Sequence, residues 1–97
     1  MKKSRTLNEA KLLYGDFSFV MSSNETITDH SVIATDKLGT NALATIITNG
    51  TILVSGKKVY ALWSGGTKAL SPYMIEFRAT SSNGEKHIAR ATLWITE

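Results

Sequence analysis

The chain has 97 residues, 42% of them hydrophobic and 20% charged, which is ordinary globular usage and enough for one modest core but not two. Eleven basic against eight acidic residues give a formal charge of +3, and three of the basic residues, Lys2, Lys3 and Arg5, stand in the first five positions. The remainder is near neutral and its lysines are scattered, so no clustered basic face for nucleic acid is expected, and the absence of cysteine excludes disulfides, thiolate metal sites and cysteine nucleophiles.

Residues 1–12 read as a flexible basic N-terminal arm, and Leu7-Asn8-Glu9-Ala10-Lys11-Leu12-Leu13 reads as a short helical turn or a loose arm. Asn8, Glu9, Lys11 and Asp16 interrupt the apolar run that a signal peptide would need after a basic start. No stretch approaches the ~20 apolar residues of a membrane-spanning helix. The expectation is a soluble chain made in the cytoplasm. Residues 13–97 are expected to form one β-sandwich domain.

Residues 13–21 read as a strand or a single turn. If extended, they place Phe17, Phe19 and Met21 on one side, although Gly15 and Asp16 would bend the segment. Ser22-Ser23-Asn24-Glu25 is turn-forming, and the β-branched residues of 26–35 predict a strand. Residues 44–48 and 51–54, separated by Asn49-Gly50, carry a hairpin signal. Lys58-Val59-Tyr60-Ala61-Leu62-Trp63 is another strand, broken by Ser64-Gly65-Gly66-Thr67-Lys68.

The strongest signal is the last third. Tyr73, Ile75, Phe77 and Ala79 alternate with Met74, Glu76, Arg78 and Thr80, the period of a strand with one buried face. Ala89, Ala91, Leu93 and Ile95 alternate likewise with Ile88, Arg90, Thr92 and Trp94. Asn83-Gly84 between the two arms suits a tight turn and predicts a closing antiparallel hairpin. Turn signals every eight to twelve residues, with no sustained helical period, predict an all-β, Ig-like antiparallel sandwich of about six to seven strands. Tyr73, just after Pro72, is either the corner tyrosine of such sandwiches or an ordinary packed ring.

Chemistry is hard to find. Asp29-His30-Ser31 has the residue types of a hydrolytic triad, but neighbours on a strand face opposite ways and cannot converge. His30 and His87 lack the spacing of helical zinc ligands. Gly65-Gly66-Thr67-Lys68 has the wrong order for a phosphate loop, and a strand rather than a helix follows it. No catalytic, cofactor-binding or metal-binding residue is assigned, and no cofactor is expected. Trp63 and Trp94 are either core or contact residues. At least one large side chain among Leu93, Trp94 and Ile95 must face away from the core, which makes Trp94 a candidate for an interface.

The order of short motifs resembles that of a family of small tail-structural proteins of bacteriophages and prophages, the fiber-tail adaptor proteins. The matching pieces are Tyr14-Gly15-Asp16-Phe17-Ser18, Asn24-Glu25-Thr26-Ile27, Ser64-Gly65-Gly66-Thr67, and the Tyr73-led hairpin with Ser81-Ser82-Asn83-Gly84. They span residues 13–95; Asn24 stands where the family usually has glycine. The resemblance implies a non-enzymatic virion protein, made in the bacterial host cytoplasm, that joins tail or neck to fibers or other tail proteins in symmetric copies. Contacts are then expected from strand edges, from Lys2, Lys3, Arg5 and Leu7 of the arm, and from Trp63 and Trp94. The alternative is a carbohydrate- or surface-binding sandwich module that stacks sugar rings on its aromatic residues.

Overall fold

The computed structural model describes residues 2–6 and 10–96, with side chains over residues 10–95. In chain order the elements are β1 (Lys2–Thr6), β2 (Lys11–Asp16), β3 (Ile27–Thr35), α1 (Leu43–Ile46), β4 (Leu53–Ser55), β5 (Lys58–Trp63), β6 (Tyr73–Ser81) and β7 (Lys86–Thr96).

The strands form two sheets, ordered β1-β7-β6-β3 and β2-β5-β4. The pairings are antiparallel except β1 with β7, which is parallel. Strands β3, β6 and β7 take the places of C, F and G in an immunoglobulin sandwich, and β2, β5 and β4 those of B, E and D. The chain is an all-β, Ig-like sandwich, as the spacing of turns and strands predicted.

The predicted closing hairpin is present, with Tyr73 opposite Leu93 and Thr80 opposite Lys86. Its loop holds three residues rather than two. The Ser81 N–H donates to Glu85 O at 2.8 Å, the Gly84 N–H to Ser81 O at 2.9 Å, and Gly84 takes φ 89°. A three-residue loop needs one left-handed residue, and glycine supplies it.

Alternation sends Tyr73, Ile75, Phe77 and Ala79 inward from β6, and Ala91, Leu93 and Ile95 inward from β7. The opposing sheet contributes Leu13, Val59, Ala61 and Trp63. At Gly15 the opposing sheet leaves no room for a side chain, since a Cβ there would lie 2.8 Å from Phe77 Cβ and 3.3 Å from Ala89 Cβ.

Two segments differ from expectation, and in a third the structure decides between the strand and the turn that the sequence left open. The Asn49-Gly50 hairpin is not formed: residues 43–46 make a single helical turn, and of the two expected arms only Leu53–Ser55 forms a strand on β5. That turn buries Ile46 completely and sets Ile47 against Trp63 at the end of β5. Residues 17–21 turn rather than extend, with the Met21 N–H on Phe17 O at 3.1 Å. Phe17 and Met21, four apart, therefore both enter the core, while Phe19 is left 94% exposed. Within the expected arm, Lys2–Thr6 runs beside β7 as β1, and Lys11 and Leu12 belong to β2.

The Ser64-Gly65-Gly66-Thr67 break is a packing corner. A Cβ on Gly65 would lie 1.8 Å from Thr45 O. Gly66, at φ 102°, passes the Tyr73 ring, which leaves 3.0 Å for any side chain. The Thr67 N–H donates to the Tyr73 hydroxyl at 3.0 Å. Tyr73 is thus the corner tyrosine of a Greek-key sandwich, its ring 1% exposed and its oxygen tying the β5–β6 connection to the strand.

Candidate functional site

Each sheet has an outward face, and the two differ in chemistry. On the β3-β6-β7 sheet the centre is charged. Glu76 accepts hydrogen bonds from Arg90 Nε at 2.7 Å and Arg78 Nε at 2.6 Å. These bonds, from Arg90 first and then Arg78, hold the Glu76 carboxyl below the usual carboxylate range. Ile33, Met74, Ile88 and Trp94 surround the clamp, all partly exposed.

The outer face of β2-β5-β4 is apolar. Alternation along β5 buries Val59, Ala61 and Trp63 and turns Lys58, Tyr60 and Leu62 outward. Cross-strand register then places Leu12 beside Leu62, and Tyr14, Tyr60 and Leu53 in one row. Leu12 and Leu53 are each 61% exposed and Tyr14 is 44% exposed. The Tyr14 and Tyr60 rings meet with centroids 5.6 Å apart and planes tilted 45°, an arrangement that fixes both rings as a platform. At one end Lys58 Nζ sits 4.9 Å from the Tyr14 ring centroid, and Asp16 pairs in register with Lys58. The Ser18 backbone N–H, donating to Asp16 Oδ1 at 2.9 Å, is the main cause of a lowered Asp16 carboxyl pKa; Lys58 adds to it.

This face is five residues wide in chemistry but absent from the sequence reading, which singled out Trp63. Trp63 is 0% exposed and has no surface to offer a partner. Where both parities of a strand are apolar, the larger ring need not be the outward one. Lys58-Val59-Tyr60-Ala61-Leu62-Trp63 carried that double signal, and depth in the core went to tryptophan. Trp94 does face outward, 37% exposed, opposite Ser4 of β1. A glycan platform is thus left with one of its two tryptophans.

The remaining arm residues cannot be placed at the face: Leu7 lies outside the described residues, as do the side chains of Lys2, Lys3 and Arg5. His30 and His87 flank Ala79 on either side, so two strand spacings, roughly 10 Å, separate their backbones. Asp29 and Ser31 pair with Thr80 and Arg78, while His30 between them takes the opposite parity. Asp29 and Ser31, with Arg78, Lys86 and His87, line a polar depression of about 380 Å³, and His30 is not among its lining residues.

The chain matches no protein-family model, and no curated protein matches it.

Proposed function

We propose that this chain is a non-enzymatic structural protein of a bacteriophage virion, an adaptor that joins tail or neck to fibers or other tail proteins. The observation that carries the reading is the contiguous outward face of Leu12, Tyr14, Leu53, Tyr60 and Leu62. An apolar, tyrosine-bearing surface with charge only at its end suits a protein partner, because its burial releases water and its rings contribute area at little entropic cost. The ordered motifs of the tail-adaptor resemblance support the same reading. Tyr14 lies on that face, Gly15 and Phe17 hold the sheets together, and Gly65, Gly66 and Tyr73 build the corner.

Quantitative mass spectrometry of purified particles of the phage that encodes the chain tests the proposal. A fixed, symmetric copy number is expected, and Leu53→Asp is expected to lower incorporation while leaving the domain folded. Absence of the chain from pure particles would overturn the mature-virion role.

A further inference from the structure

A sandwich of two open sheets has four edge strands, here β1, β3, β2 and β4. Exposed edges invite pairing with other chains, and proteins blunt them with charge, bulges, short strands or covering loops. Three of the four are blunted. Strand β4 has three residues. Strand β3 carries a bulge between Ile27 and Asp29, and its far end is covered by Asn41 and Ala42, the Ala42 N–H donating to Ala34 O at 2.9 Å. Strand β1, Lys2–Thr6, has three cationic residues among its five.

Strand β2 carries charge only at its two ends, Lys11 and Asp16, and has none of the other devices. It runs for six residues in unbroken register, from Lys11 opposite Trp63 to Asp16 opposite Lys58, without proline or bulge. Among the described residues only β5 pairs with it.

The hydrogen bonds around β5 say which β2 groups face outward. The Phe17 N–H donates to Lys57 O at 2.8 Å, in the same register as the strand. Bonded pairs in an antiparallel ladder recur every second residue. Leu13 and Gly15 therefore bond across to Ala61 and Val59. On the other side of β5, Leu62 O accepts from the Thr48 N–H and the Leu62 N–H donates to Thr51 Oγ1, which confirms the parity. The N–H and C=O of Leu12, Tyr14 and Asp16 consequently point away from β5.

We infer that this edge pairs with the β2 edge of a second copy of the chain, antiparallel about a two-fold axis at Tyr14. The three outward residues are symmetric about Tyr14, so the edge is its own complement. Tyr14 then lies opposite Tyr14 of the second copy, and Leu12 opposite Asp16, with about six new main-chain hydrogen bonds and no like charges facing. Centring on Leu13 instead matches Leu12 with Tyr14 and forms about four. A two-fold axis normal to the sheet keeps both outer faces on one side. The result is a continuous six-stranded sheet, β4-β5-β2-β2-β5-β4, whose outer surface joins the two apolar faces into one. This pairing stands independently of the adaptor role.

The test combines sedimentation with residue-resolved amide exchange on the full chain across concentrations. A reversible dimer is expected, with the Leu12 and Tyr14 amides slowing as concentration rises and the Leu13 and Gly15 amides protected throughout. Tyr14→Pro removes an N–H that the β2–β5 ladder does not use, a position where strands accept proline. It is expected to fold and to weaken the dimer by at least about tenfold, as loss of two main-chain bonds, one from each copy, plus the ring pair implies. If Tyr14→Pro fails to fold, exchange on the unaltered chain decides. A monomer at all concentrations, a dimer whose Leu12 and Tyr14 amides ignore concentration, or a folded Tyr14→Pro dimer of unchanged affinity would overturn the inference.

Discussion

Glu76 sits between Arg78 on its own strand and Arg90 on the next, with both guanidiniums within 2.7 Å of its oxygens. Those bonds lower its carboxyl pKa in the folded chain, so folding favours the ionised form. The stabilisation is complete above the unfolded carboxyl value of about 4.3 and is lost as pH falls through the lower folded value. Glu76→Gln should therefore be less stable than the parent at neutral pH, and the two melting temperatures should converge as pH falls below ~4. The guanidiniums are about half exposed, so water and salt screen the pair and the gap should be small. A gap that stays constant down to acid pH would show that the clamp carries no proton linkage. Alternation in the sequence already placed Glu76, Arg78 and Arg90 on one outward face. It was silent on the clamp, because cross-strand neighbours depend on a register set by the loop.

At the scale of elements, the segment after β2 shows where pattern reading stops. Phe17, Phe19 and Met21 share a parity, and an extended chain would bury all three. The chain instead turns at Phe17, and the Phe17 carbonyl accepts from Val20 and Met21. Asp16 assists by accepting from Ser18, a local bond that competes with the extended state. Phe17→Ala should cost about 3–5 kcal/mol, as for other buried aromatics, while Phe19→Ala should stay within about 0.5 kcal/mol. Urea unfolding of both variants checks this; equal costs would put Phe19 in the core. The lost Asn49-Gly50 hairpin has the same origin. Ala44-Thr45-Ile46-Ile47 has strand-like residues, but burying Ile46 and Ile47 over the end of β5 required a turn of helix. Gly50 still takes φ 80°, as the Asn-Gly signal demands, within a loop rather than a hairpin.

For the whole molecule, the sheet-to-sheet distance is the quantity that no single element controls. Gly15 belongs to β2, yet its missing side chain is explained only by Phe77 and Ala89 across the core. Gly15→Ala should destabilise the domain by about 1–3 kcal/mol, because the added methyl overpacks a close contact. Calorimetry or urea unfolding measures it. Unchanged stability would mean that the sheets can part without loss.

By itself the sequence determined the fold class and the last hairpin, since period-two alternation and turn residues are local properties that each segment carries alone. It also specified Tyr73 as a candidate corner residue, leaving only its partner, the Thr67 N–H, to be found. Tertiary structure decided which of two apolar parities faced the core. In β5 it chose Val59, Ala61 and Trp63, exposing Tyr60 and Leu62 to join Leu12, Tyr14 and Leu53. That choice could not be made locally. When both faces of a strand are apolar, burial follows from which face the opposing sheet covers, and the opposing sheet lies elsewhere in the chain.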